Sequence, residues 1–553
     1  MKRLRLCAVV IALLLSGGVS ALAADPLPGA VDPGQLEQRF ERPPEPRATP
    51  EAIIPESKAQ LPPDEAGQIR FQLTAVEIEG ATVFTADDFR EFYAEFLGRE
   101  VSLLDIYQVA AKATARYGNA GYVLSRVIVP AQAISNGSVK LRAVEGYIDR
   151  VVIVGKPHGR ADFFDHYGEK LKASRPLHNS VLERYLLLAN DLPGTKVQSV
   201  LRPSADNTGA ATLVLTVGQT PYDGLASLDN RGSKAVGRWQ ALLGGSANNL
   251  LGGADRSTVR LATTPEDTDE LHYGMLSHSR VLGQEGTSLE LFFSWSESEP
   301  GGDTMRLLEV ETASRSAGIS LAHPVKRSRS GNLTLSSGFV WRDSETLQLG
   351  KKTAEDRVYL LNLGLLYDRA DATGVNLFSL TLSQGLDLGS AQVETRANAE
   401  EDFTKLEFHA SRTQRLTEDW SATLRVGGQV SGSGLPVSEQ FGIGGETFGR
   451  AFDPSEWTGD SGAAASLEIS RRLSITDSIE GRPYVFYDTA MVRHRHPVDE
   501  AKQDSAASAG LGVRLSFPRG FSLALEAAKP LDDREDPEEN RDWRYFLRAM
   551  ARF

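Results

Sequence analysis

Trp420-Ser421-Ala422-Thr423-Leu424-Arg425-Val426-Gly427-Gly428-Gln429-Val430 alternates apolar side chains with polar or small ones. In a β-strand successive side chains point to opposite faces, so this segment has one apolar face and one polar face. Ser288–Trp295 and Phe521–Ala527 repeat the pattern less perfectly. Roughly sixteen such segments lie between Gly224 and Phe553, and about ten alternating residues per segment is the signature of a membrane barrel. A soluble β-sandwich alternates too, so the links between segments carry the decision. Ser516–Gly520 and Thr413–Asp419 are short, whereas Ser431–Gly462, Met491–Ala507 and Ala528–Trp543 are long. Short turns on one side and long loops on the other suit an outer-membrane barrel. The last segment, Tyr545 to Phe553, ends the chain on an aromatic, and Arg544, Arg548 and Arg552 share a face that would line a polar lumen. The expected fold is therefore mainly β, with residues 221–553 forming a 16-stranded antiparallel transmembrane β-barrel that carries a long loop, 431–461.

The N-terminus sets the compartment. Lys2, Arg3 and Arg5 precede an apolar run, Leu6–Leu15, and Ala21-Leu22-Ala23 supplies the small residues of a cleavage site, which reads as a signal peptide over 1–23. The run is too short to span a bilayer as a helix. Cys7, the one cysteine of the chain, lies inside this segment without the small residues upstream that a lipid-anchor site carries. The mature chain then has no disulfide, thiolate metal site or cysteine catalysis. The formal net charge is −13, and removal of the signal takes three basic residues and no acid, which argues against a nucleic-acid partner.

Between signal and barrel the chain is organised differently. Asp32 to Phe40 reads as a short helix with Pro33 in its first turn, within a segment 24–41. Seven prolines between Pro43 and Pro63 make 42–70 an extended linker. The pattern then turns α+β. A strand through Leu73, Val76 and Ile78 is followed by an amphipathic helix, Asp87–Leu97, with Phe89, Tyr93 and Phe96 on one face. A second helix covers Leu104–Tyr117, and Tyr122–Pro130 and Val139–Gly146 read as paired strands. The unit recurs: a strand at Ile148–Val154, helices at Phe163–Leu171 and Ser180–Leu188, and strands at Val197–Arg202 and Ala211–Val217. These are two modules, 71–146 and 147–220.

Taken in order, several short motifs make the chain resemble the two-partner-secretion transporters, also known as haemolysin secretion/activation proteins. Their barrels carry periplasmic POTRA (polypeptide-transport-associated) domains. The first module holds Gly118-Asn119-Ala120-Gly121-Tyr122, Val129-Pro130-Ala131-Gln132 and Val144-Glu145-Gly146. Asp229-Asn230-Arg231-Gly232-Ser233, with Gly237 and Arg238, is similar to the family's first barrel hairpin, and Asn249 to Asp255 to the turn after it. The long loop holds Gly444-Gly445-Glu446-Thr447-Phe448-Gly449-Arg450-Ala451-Phe452-Asp453-Pro454 and then Thr458-Gly459-Asp460, and Phe486-Tyr487-Asp488 lies in a late strand. Family members usually have glycine where this chain has Ala451 and Ala490.

The resemblance implies an outer-membrane pore of a Gram-negative bacterium, with POTRA domains in the periplasm, that recognises and secretes a large adhesin- or haemolysin-like protein. It also implies contact with outer-membrane lipid and with the machinery that inserts barrels. The residues of the first module it points to for partner binding are Tyr122, Val129, Pro130, Gln132, Glu145 and Gly146. It further implies a loop–barrel lock in which Arg450 and Phe452 of the long loop, folded back into the lumen, meet Asp488 and Phe486 on the wall. Strand parity agrees for the wall: Phe486, Asp488 and Ala490 share one face and Val485, Tyr487 and Thr489 the other, and a charged aspartate avoids lipid. A guanidinium bridges a carboxylate through two parallel hydrogen bonds, and the pair is expected to be only partly desolvated. The bland alternative is an ordinary solvated loop arginine. Pro33–Phe40 resembles the family's plug helix, its alternative being a disordered secreted tail.

Other signals carry little. The glycines from Gly244 to Gly253 lack the lysine and hydroxyl of a phosphate loop. His494-Arg495-His496 and Asp532-Asp533-Arg534-Glu535-Asp536 lack spaced ligand patterns, so no metal or other cofactor is expected. No nucleophile–base set stands out, and the expectation is no enzyme. Two functions of other classes stay open: an insertase that assembles other barrels, and a passive porin.

Overall fold

The computed structural model describes residues 29–40, 44–49, 63–155, 161–204, 207–495, 497, 502–531 and 542–553. The expected signal peptide, His496 and the acidic run Asp532–Asp536 lie outside the described residues.

Alternation closes the C-terminal part into a barrel. Eighteen hydrogen-bonded segments form the closed sheet. Two of them, Gln392–Val393 and Leu473–Thr476, are short pieces beside or beyond longer strands, which leaves sixteen antiparallel strands. The first, Tyr222–Asp229, meets the last, Arg544–Arg552, with Asp229 opposite Arg548. No sheet edge then faces lipid, which could not satisfy one. Leu424, Val430, Leu467, Val485 and Tyr487 point outward and are exposed, while Gln429, Glu468, Phe486 and Asp488 between them are buried inside. Links at 249–254, 283–286, 328–330, 371–373, 416–419, 477–478 and 517–520 share the end from which the N-terminal modules hang. The opposite rim carries the long connections 386–403 and 432–460. One expected long loop is shorter, because the strands Ile479–Arg493 and Gln503–Ser516 extend into it and leave only 494–502 between them.

The first module packs the helix Leu103–Asn119 on a three-stranded sheet of order Ala75–Glu79, Ser138–Val144, Arg126–Ile128. Ser102 starts the helix by a reciprocal cap with Asp105. Ile106, Val109, Ala110, Ala113 and Tyr117, at helical spacing, bury against Val139, Leu141 and Ala143. The helix expected over Asp87–Leu97 is broken: Asp87–Arg90 is one helical turn and Ala94–Phe96 a 3-10 turn. Eleven residues cannot hold a helix without tertiary support. Tyr93, between the two turns, leaves helical space (φ −131°, ψ −6°), and Leu73 ends the second turn by accepting from Gly98 N (2.7 Å) and donating to the Arg99 carbonyl (2.9 Å). The strand expected over Tyr122–Pro130 shrinks to Arg126–Ile128: its start is a turn in which Ser125 N donates to the Tyr122 carbonyl (2.9 Å), and at its end Pro130 has no N–H to offer Lys140. The Gln132 side chain replaces it, accepting from Lys140 N (2.8 Å) and donating to its carbonyl (2.7 Å). The last part of the expected linker is also ordered. Pro63–Gln68 forms a short helix with Ala66 fully buried.

The second module repeats the design. Its sheet runs Tyr147–Val154, Ala210–Gln219, Thr195–Pro203, and helices Ala161–Ala173 and Asn179–Asp191 cover one face. It sits on the barrel's short turns. Arg184 and the Tyr185 hydroxyl donate to Glu285 (3.0 Å each), and Arg327 makes two hydrogen bonds to Asp191 (2.7 and 2.8 Å).

Candidate functional site

The lumen is filled by two pieces of the chain itself. The helix Pro33–Phe40 lies inside, with Asp32 accepting from Gln35 N (2.9 Å) as its cap. Leu36 and Val31 pack on Val236 and Leu271, and Phe40 stacks on Tyr273 with ring centres 4.7 Å apart. Gln35 donates to the carbonyls of Val437 and Gln440 (2.9 and 3.0 Å) in the long loop. Ser316 of the wall donates to Glu37 (2.8 Å), and Arg39 pairs with Asp229 (3.1 Å). From there the chain reaches the mouth on the module side, where Ala48 N donates to Asp368 (2.5 Å) and Thr49 N to the Arg329 carbonyl (2.8 Å).

The second piece is the long loop. It turns at Gly444, whose φ of +108° suits only glycine and where a Cβ would collide with the Asp453 carbonyl. Its tip carries Arg450 to the wall. Arg450 Nε and Nη2 each donate to Asp488 at 3.0 Å, its backbone N–H adds a third bond at 3.1 Å, and Nη1 donates to Glu468 at 3.0 Å. Nη2 also reaches the Ser466 hydroxyl (3.1 Å), and the guanidinium lies 3.5 Å from the centre of the Phe486 ring. Phe452 is buried with Phe486 in one cluster and packs edge-on against Trp457 at 5.0 Å. The four residues of the expected lock therefore come together. One expectation changes: Arg450 is 2 % exposed and Asp488 not at all, so the pair is buried rather than partly solvated. The reason is that apolar residues of the loop, Phe448 and Phe452 among them, pack with Phe486 and Tyr484 of the wall around it.

Ala451 and Ala490 are both buried, and neither has positive φ, so their Cβ atoms introduce no backbone strain. Sequence reasoning missed Glu468, Ser466 and Glu526, although the signal existed: each faces inward beside outward-facing Leu467 or Leu525. Arg544, expected to face the lumen, donates to the Ala451 carbonyl (2.9 Å), and Arg548 pairs with Asp229 (3.5 Å) and Glu446.

The six residues singled out in the first module sit mostly in its own framework. Glu145 accepts from Thr82 N (2.7 Å), Val83 N (3.0 Å), the Tyr117 hydroxyl (2.8 Å) and the Thr82 hydroxyl. Burial raises its carboxyl, but these donors outweigh burial and hold it below the usual carboxylate range. Gly146 is buried with no room for a Cβ beside the Leu124 carbonyl, and Val129 belongs to the core. Tyr122 sets its ring edge-on against His178 of the second module, 5.1 Å between centres. Gln132 completes the ladder beside Pro130.

Comparison with known proteins adds the decisive observation. The family model described as haemolysin secretion/activation protein ShlB/FhaC/HecB matches residues 209–515, more than half of the chain. The chain belongs to this family. The ShlB-type POTRA domain matches residues 71–146. Relatives along nearly the whole length include the heme/hemopexin transporter protein HuxB of Haemophilus influenzae, 24% identical over 99% of this chain and 98% of its own. The hemolysin transporter protein HpmB of Proteus mirabilis is 22% identical over 83% and 81%. Among solved structures, CdiB from Escherichia coli has TM-score 0.72 at 20% identity, covering 92% of this chain and 94% of that one. BamA from Haemophilus ducreyi lacking POTRA domains 1–3 reaches 0.52 at 12%, covering 87% and 100%. These structural likenesses speak for the fold. As a member of the family, this protein is an outer-membrane β-barrel transporter of two-partner secretion.

Proposed function

We propose that the barrel exports one large partner protein, adhesin- or haemolysin-like, which its POTRA domains take unfolded from the periplasm. The observation that carries this reading is the doubly occupied lumen: a helix held by a part-buried ion pair and a loop held by a buried one obstruct a pore that must open on demand. A passive porin gains nothing from such a closure or from two modules at its mouth. Insertases of the wider superfamily commonly carry more modules than the two here, which favours export.

The modules need no chemistry. Ala75–Glu79 in the first and Thr195–Pro203 in the second are edge strands, each paired on one side only among the described residues. An extended client can add to such an edge through main-chain hydrogen bonds. Of the six first-module residues, we assign Glu145, Gly146, Val129, Pro130 and Gln132 to shaping the sheet that receives the client, and Tyr122 to setting the angle between the modules. Substrate movement involves no catalysis and no cofactor: folding of the client outside draws it through. Outer-membrane lipid surrounds the outward leucines and valines, and the cell's barrel-assembly machinery inserts the strands. Deleting residues 71–146 is expected to leave a folded, inserted barrel while client delivery to the surface stops. Unchanged delivery after that deletion would refute capture by the first module.

A further inference from the structure

At the opposite rim, Asp460 ends the short strand Trp457–Gly459 at the root of the long loop and is fully buried. Its Oδ1 accepts from Arg396 Nη1 (2.8 Å), Leu435 N (2.8 Å) and Gln440 Nε2 (3.3 Å), and its Oδ2 from Arg495 N (2.7 Å). One carboxylate thus joins three connections: 386–403 through Arg396, both arms of 432–460, and 494–502 through Arg495. Arg396 is itself buried. It also donates to the Leu435 carbonyl (2.8 Å) and lies 3.3 Å from His494 Nδ1.

The loop that brings Arg396 there is anchored on both sides. Gln392–Val393 pairs with Asp356 and Arg357 of the wall, and the Asp356 carboxylate accepts from Glu394 N (2.8 Å) and Thr395 N (3.0 Å). Ala399 then bridges Gly434 of the long loop, Glu400 N donates to the Gly434 carbonyl (3.2 Å), and Leu435, Phe403 and Leu360 form a small buried cluster. The plug reaches the same place, because Gln440 receives Gln35 on its carbonyl and offers its amide to Asp460. None of these partners belongs to the Arg450 set.

We propose that Asp460 and Arg396 form a second lock, an outer gate in which the 386–403 and 432–460 loops are clasped across the extracellular end and must part for the client to leave. The inference rests on the export reading but concerns a different site from the Arg450 lock. Asp460 is a positioning residue: it touches no client and fixes where the loops stand. A buried ion pair suits a gate of this kind. Separating one partner from the other without water strands a charge, so the loops come apart together or not at all.

Two measurements on the full-length transporter in cells test this. In the first, Cys7→Ala removes the one cysteine and Val437→Cys, buried at the root of the long loop, reports its exposure. A membrane-impermeant maleimide is added outside. Arg396→Gln is expected to raise the labelling rate at least about tenfold, the change that follows loss of a hydrogen bond between charged groups. Asp460→Asn should do the same, the two together no more than the larger single, and combination with Arg450→Ala should multiply, since the sites share no partner. In the second, Arg396→Cys and Asp460→Cys are joined by a reducible bifunctional maleimide. Secretion should stop when they are joined and return on reduction. Undiminished secretion by the joined transporter would overturn the proposal. If the double-cysteine variant does not fold, an unchanged labelling rate in Arg396→Gln overturns it instead. Failure of the export reading is distinguishable, because then neither the joined nor the free form delivers client.

Discussion

Replacing Arg450 with alanine removes the centre of the loop–wall contact, and the structure says what is left behind. Glu468 keeps two hydrogen bonds from Arg514 (2.6 and 2.9 Å), whereas Asp488 loses both guanidinium bonds and keeps the backbone N–H of residue 450 (3.1 Å) and the Ser508 hydroxyl (3.3 Å). One buried carboxylate is thus stranded. Taking one partner from a buried ion pair costs about 3–5 kcal/mol. At about 1.4 kcal/mol per factor of ten, that shifts the loop from inside to outside the lumen about a hundred- to a few-thousand-fold. The barrel itself should be spared, because its sixteen paired strands close without the loop. The order of effects follows from the contacts. Asp488→Ala should be milder than Arg450→Ala, because Arg450 retains Glu468 at 3.0 Å. The double variant should be no worse than Arg450→Ala, since the stranded carboxylate goes with its partner. The assay is secreted client per folded transporter, the folded fraction read from the slower or faster gel migration of unboiled samples. In parallel, Thr447→Cys near the loop tip should become reachable by a bulky maleimide outside the cell. Full secretion by Arg450→Ala, additive defects from the two single variants, or an unreachable Thr447→Cys would refute the reasoning.

Other outcomes follow from the same geometry. The Glu145 carboxyl is held below its ordinary value of 4.5, so its contribution to the first module is full above that pH and fades as pH falls below it; Glu145→Gln should flatten this dependence, read as the proteolysis rate of the module between neutral and acid pH. Removing residues 29–40 should raise ion conductance in planar bilayers while the barrel still fractionates with the outer membrane, whereas conductance unchanged by the removal would mean that the helix does not obstruct the pore.

The barrel, its strand number and the inward direction of Asp488 were legible in the chain, because a period of two is a local property of extended backbone and lipid enforces it strand by strand. The helix at Pro33–Phe40 was legible for a similar reason: the aspartate cap and the proline in the first turn act within one turn. The break in Asp87–Leu97 and the shortened strand before Pro130 were not, since helical periodicity carries no sign of the first and a partner on another strand, Lys140, shapes the end of the second. The same holds at the site. Parity alone puts Glu468, Asp488 and Glu526 inside, but which of them meets Arg450 depends on how far the loop reaches back and at what angle. That the pair is buried depends on Phe448 and Phe452 of the loop packing with Phe486 and Tyr484 of the wall, a contact made only when the loop is folded back. Asp460 and Arg396 look like ordinary loop charges along the chain. Only closure of the barrel, which sets three successive loops side by side over one mouth, makes them a pair.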